Sequence, residues 1–61
     1  MWKPRKIGAK FWYISMFLMP VKRYWLNHDE TSLSLIETGN CFRTKQDALR
    51  AIDLFRFNNK Y

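Results

Sequence analysis

The chain is poor in the residues that most often announce chemistry. Cys41 is the one cysteine among 61 residues, which excludes an internal disulfide and any metal pattern built on paired cysteines. It reads as a small buried hydrophobe in a protein of a reducing compartment. The one histidine, His28, stands beside Asp29 and Glu30 in a polar run. Neighbours on a single loop do not form a chelating or acid–base set, and no other stretch supplies the missing ligands. There is no nucleophile–base pair and no phosphate loop, so the chain does not read as an enzyme and implies no metal and no cofactor. Long hydrophobic runs are missing too. Phe11 to Met19 is nine mostly apolar residues after a basic start, superficially like a signal peptide, yet Pro20, Lys22 and Arg23 follow and no small-x-small cleavage site appears. Nine residues fall well short of the roughly 20 that a spanning helix requires. Membrane insertion is therefore not expected, and adsorption at an interface through the aromatics is a separate matter.

Acidic residues are scarce and unevenly placed. Residues 1–25 carry Lys3, Arg5, Lys6, Lys10, Lys22 and Arg23 with no acid, residues 26–42 carry Asp29, Glu30 and Glu37 with no base, and residues 43–61 carry five bases against Asp47 and Asp53. The net charge of +6 thus has two basic ends around an acidic middle, an arrangement that attracts a polyanion. A solvated surface on a small soluble protein is the plainer reading of the same charges.

What the chain has in quantity is aromatic side chains, 18% of the total, within an apolar content of 48%. That excludes a disordered basic tail and supplies a compact core. One domain is the limit, because a chain this short buries only about 60% of its unfolded surface. The aromatics exceed what one small core needs, so some are expected on a binding face.

Residues 1–9, with Pro4 and Gly8, read as a basic arm, with Trp2 placed to fold back onto the core. A single small domain is expected over residues 10–58, with 59–61 as tail. Lys10 to Met19 favours a first strand, Phe11 and Tyr13 on one face and Trp12 and Ile14 on the other; helix is the competing assignment. Pro20 marks a turn, and Val21 to Leu26 a second, antiparallel strand with Lys22 and Tyr24 on one face and Arg23 and Trp25 on the other. Asn27 to Ser32 reads as a loop and Leu33 to Thr38 as a weak third edge strand. Gly39-Asn40 supplies a tight turn or bulge, and Cys41-Phe42 returns to the core. Thr44 is an N-cap reaching to Asp47, and a helix is predicted from about Lys45 to about Phe57, its stripe Ala48, Ala51, Ile52 and Phe55 covering the sheet. The predicted fold is α+β: a three-stranded antiparallel sheet with one C-terminal helix packed across one face, β-β-β-α.

The run Gly39-Asn40-Cys41-Phe42-Arg43-Thr44-Lys45-Gln46-Asp47-Ala48 resembles the G-N-x-F-x-T-K-E-E-A run of a family of very short, uncharacterised phage and prophage proteins. That resemblance implies the cytoplasm of a bacterial host as the working compartment and a strand-then-helix layout. Gln46 replaces the usual acid, and Leu35-Ile36 stands where an Arg-Tyr pair is common. Phe42 to Ala48 is also similar, more weakly, to the start of the helix in the arm-type DNA-binding domain of phage and transposon integrases. There a sheet face enters the major groove, which implies contacts from Lys10, Lys22, Arg23 and Tyr24.

From the residues themselves, the interleaving of bases with aromatics makes Lys10, Trp12, Lys22, Arg23, Tyr24 and Trp25 the candidate binding set for DNA or RNA. Exposed Trp, Tyr and Arg equally suit a phage-encoded inhibitor that binds a host protein such as a defence nuclease. A DNA mimic would be acidic, so that mode of inhibition is disfavoured. Leu54, Phe57 and the two-sided first strand leave a homodimer open.

Overall fold

A computed structural model describes residues 2–58; of Asn58 only the backbone is described. Two strands and two helices follow one another: β1 (Lys10–Ile14), β2 (Pro20–Tyr24), α1 (Glu30–Glu37) and α2 (Lys45–Asn58). The fold is a small α+β one, an antiparallel hairpin followed by two helices, of which α2 contacts both strands.

The hairpin pairs Lys10 with Tyr24, Phe11 with Arg23, Trp12 with Lys22, Tyr13 with Val21 and Ile14 with Pro20. Side chains of directly opposed residues share a face. Lys10, Trp12, Lys22 and Tyr24 therefore lie on one side of the sheet, and Phe11, Tyr13 and Arg23 on the other. Pairing continues past the strands through the Trp25 amide on the Ala9 carbonyl at 3.0 Å. The first strand ends earlier than expected because Pro20, lacking an N–H, is usable only at the last rung. Five residues, Ser15 to Met19, make the turn with no glycine or asparagine, and Leu18 takes the left-handed conformation at φ 57°. Ser15 holds this turn together: its hydroxyl accepts from the amides of Phe17 and Met19, and its carbonyl accepts from Leu18.

The expected third strand at Leu33 to Thr38 is corrected: these residues belong to α1 and its C-cap. The expected loop at Asn27 to Ser32 is correspondingly shorter, since the helix begins at Glu30. The physical reason is Asp29, whose carboxylate accepts from the Ser32 amide at 3.1 Å and caps the helix. Ser32, Leu35 and Ile36 then face inward at helical spacing, with Ser32 and Ile36 buried. Leu33, which had set up an apparent strand alternation with Leu35, is exposed. Gly39-Asn40 closes the helix. At φ 83° Gly39 donates to the Ile36 carbonyl and Asn40 to the Leu35 carbonyl, the paired bonds of a Schellman ending.

The sheet edge intended for a third strand is taken by Asn40 to Phe42. The Asn40 side chain donates to the Ile14 carbonyl at 2.9 Å and accepts from the Ile14 amide at 2.8 Å, imitating a backbone partner. Two residues on, the Phe42 backbone exchanges both bonds with Trp12, at 2.8 and 2.9 Å. Between them Cys41 turns inward. Phe11, Ile36 and Cys41 form the core, with Trp2, Tyr13, Trp25 and Leu35 packed against it. Burying a phenylalanine completely, as at Phe11, contributes about 2–3 kcal/mol.

α2 begins where the Thr44 cap predicts, the Thr44 hydroxyl accepting from the Asp47 amide at 3.1 Å. Asp47 in the first turn and Arg56 in the last both suit the helix dipole. Ala48 and Ile52 are buried outside the Phe11 cluster. The expected stripe holds only for its first part: beyond Ile52 the helix overhangs, and Leu54, Phe55 and Phe57 are more than half exposed.

Candidate functional site

The six residues singled out for binding separate into two groups. Lys10, Lys22 and Tyr24 are exposed on one face of the hairpin, with Trp12 on the same face and half-buried. The Lys22 ammonium lies 6.0 Å from the centre of the Tyr24 ring, so one charge and one aromatic surface are presented together. Trp25 packs against the core on the opposite side. Trp12, Tyr24 and Trp25 therefore do not form one exposed aromatic platform.

Arg23 points to the core side and is engaged there. Its Nη2 donates to Asp29 Oδ1 at 2.9 Å and its Nε donates to the Ser32 hydroxyl at 2.7 Å. The Ser32 hydroxyl in turn donates to Asp29 Oδ2 at 2.5 Å. The Arg23 hydrogen bond, followed by those of Ser32, holds the Asp29 carboxyl well below the usual carboxylate range. Asp29 likewise holds the Arg23 guanidinium above its ordinary value, against a smaller opposing effect of desolvation. This node joins β2 to the start of α1 and makes Arg23 first a fold-holding residue.

A second basic region was not visible as a site in the sequence. Trp2, Lys3, Pro4, Arg5 and Arg43 line an open groove of about 590 Å³, three cations with no acid among the lining residues. Local chemistry builds it. Pro4 is buried, Trp2 packs on the core, and the Cys41 thiol donates to the Trp2 carbonyl at 3.6 Å. The arm is thereby laid beside the strand-like segment that precedes Arg43. Burial pushes the Cys41 thiol up, with nearby Lys3 pulling the other way, so the group stays a neutral donor. The only hint in the sequence was the density of bases in residues 1–10. That these meet Arg43 depends on a contact between residues 39 apart.

His28 is exposed in a left-handed turn at φ 59°. Among the described residues no three His, Cys, Asp or Glu side chains gather where a metal ion could be held. No helix of the described residues is long and apolar enough to cross a membrane. The chain matches no protein-family model, no curated protein and no solved structure.

Proposed function

We propose that this chain is a small phage-type accessory protein that binds DNA or RNA in the bacterial cytoplasm, without enzymatic activity. The observation that carries the reading is the groove of Lys3, Arg5 and Arg43 around Trp2, where three positive charges meet an aromatic side chain with no acid among the lining residues. Phosphates would be held by the cations, and Trp2 offers a ring edge or face to a base. Lys10, Lys22 and Tyr24, exposed side chains of the hairpin, add a second set of contacts. Arg23 and Trp25 leave the proposed contact set, since both are turned toward the core.

Fluorescence anisotropy with labelled single-stranded DNA, duplex DNA and RNA at several salt concentrations tests this. Binding should weaken linearly on a log–log plot against salt. Replacing Lys3, Arg5 and Arg43 together by glutamine should flatten that slope by roughly 2–3, one lost phosphate contact each. Absence of binding at low salt, or an unchanged slope in the variant, overturns the proposal.

A host-protein inhibitor is the second reading, favoured by the exposed Leu54 and Phe57 at the end of α2. Retention of one host protein from nuclease-treated lysate, lost on Leu54→Ser with Phe57→Ser and unaffected by the three glutamines, would favour it over the first. The same two side chains bear on a homodimer, which sedimentation at several concentrations decides.

A further inference from the structure

We infer that the tip of the β1–β2 hairpin is a membrane-surface anchor, seated shallowly in the interfacial region of an anionic bilayer. It does not span the bilayer, and it is separate from the basic groove. The tip exposes Met16 at 88%, Phe17 at 77% and Met19 at 60% of their surfaces, three neighbouring apolar side chains that contribute nothing to the core. A soluble monomer seldom leaves so contiguous a group open without a use for it.

Three further observations specify a lipid surface as the occupant. First, the hairpin is graded along its length. Phe11 to Val21 contains no charged residue, and no acid occurs before Asp29. Moving from the tip one meets Ile14 opposite Pro20, then Tyr13 opposite Val21, then Trp12 opposite Lys22, then Lys10 opposite Tyr24 two rungs further on. Apolar tip, aromatic zone and lysines follow in the order in which a bilayer offers acyl chains, interface and phosphates. Trp12 and Lys22 lie about 7 Å below the last rung, a depth matched to the interface, and a lysine stem reaches several ångströms further.

Second, most of the tip's backbone donors are already bonded within the turn. The amides of Ser15, Phe17, Leu18 and Met19 are all bonded within the turn, to the Met19 carbonyl, the Ser15 hydroxyl, the Ser15 carbonyl and the Ser15 hydroxyl respectively. Of the five turn amides only that of Met16 is left for water or a headgroup among the described residues, so the tip meets most of the condition for shallow entry into a medium with few partners to offer. Third, the net charge of +6 draws the whole molecule toward an anionic surface, where one small wedge alone would hold weakly.

The experiment is co-sedimentation of the full chain with phosphatidylcholine vesicles and with vesicles containing phosphatidylglycerol, followed in parallel by tryptophan fluorescence with brominated lipid. Wild type should partition onto the anionic vesicles, less so at high salt, with Trp12 near enough to be quenched. Replacing Met16, Phe17 and Met19 together by serine should lower the partition coefficient at least roughly tenfold, given the apolar area removed. Binding to labelled nucleic acid should be unchanged in that variant, so failure of the groove and failure of the tip are told apart. Phe17→Trp should partition at least as well as wild type, which keeps the test open if the triple variant folds poorly. No partitioning of wild type, equal partitioning of the triple variant, or loss on Phe17→Trp each overturns the assignment. So would self-association through the tip in place of vesicle binding.

Discussion

The two helices begin in opposite ways. α1 starts at Asp29, a capping carboxylate that also holds Arg23 of β2 and is itself held by the Ser32 amide and hydroxyl. α2 starts at Thr44, an exposed hydroxyl that accepts from the Asp47 amide and, among the described residues, bonds to no other element. One cap is a tertiary joint; the other is a local device. The second could be read from the sequence because a Thr with an acid three residues on carries its whole meaning in four letters. The first could not, because half of its meaning lies on β2. A local signal identifies an element, and a shared one decides how elements are held together.

Removing the shared cap should have the largest effect. Asp29→Ala deletes the cap and leaves the Arg23 guanidinium and the Ser32 hydroxyl short of a partner in a partly buried position. A drop in Tm of roughly 15 °C is expected by circular dichroism, well beyond what a cap alone supplies in a domain this small. Arg23→Met should destabilise in wild type and much less in the Asp29→Ala background. If the two effects simply add, the joint is not a joint and the contrast between the helix starts collapses.

Next comes the closing end of α1. Asn40→Ala removes both bonds to the Ile14 backbone at the sheet edge and should cost about 2 kcal/mol in urea unfolding. Asn40→Asp can still accept from the Ile14 amide but cannot donate to its carbonyl, and should also be destabilising. An unaffected midpoint in both would mean that Phe42 alone secures this edge.

Acid separates the two helix starts without mutation. The Asp29 carboxyl titrates lower in the folded chain than its ordinary value, so its contribution is complete above about pH 4, where an unfolded Asp is ionised. It is lost as pH falls below that, through the folded value. Thr44 does not titrate. Protection factors, which are corrected for the slower intrinsic exchange in acid, should therefore fall in residues 32–36 before 48–52 as the solution is acidified. Asp29→Asn, which keeps a capping oxygen, should abolish the difference while lowering stability at neutral pH.

Legibility followed the same division. The hairpin, its two faces and the span of α2 were readable because alternation and i, i+4 spacing are properties of a few adjacent residues. Leu33 and Leu35 misled because two leucines alternate equally well on a strand and at the edge of a helix stripe. The inward residue that would have corrected them, Ser32, is polar, and becomes a core residue only through Arg23 and Asp29. In the candidate site, parity placed Lys22 with Tyr24 and Arg23 with Trp25, but not which pair faces the core. The groove of Trp2, Lys3, Arg5 and Arg43 was beyond reach, since it exists only once Cys41 has fixed the arm.

The smallest effect belongs to the cap that was easiest to see. Thr44→Ala removes a single exposed hydrogen bond at 3.1 Å, and the freed Asp47 amide can turn to water. The expected cost is about 0.5–1 kcal/mol, the low end for N-caps, or a few degrees in Tm. Thr44→Ser or Thr44→Asp should restore it, because either side chain offers an oxygen at the same place. The change should leave Arg23 on Asp29, so exchange protection in α1 should fall only by the global amount while the first turn of α2 frays further. Should Thr44→Ala instead loosen α1 as much as α2, then the exposed cap is coupled to the rest of the fold after all. The division between local and shared caps would then give way to a single cooperative unit running from Asp29 to Ile52.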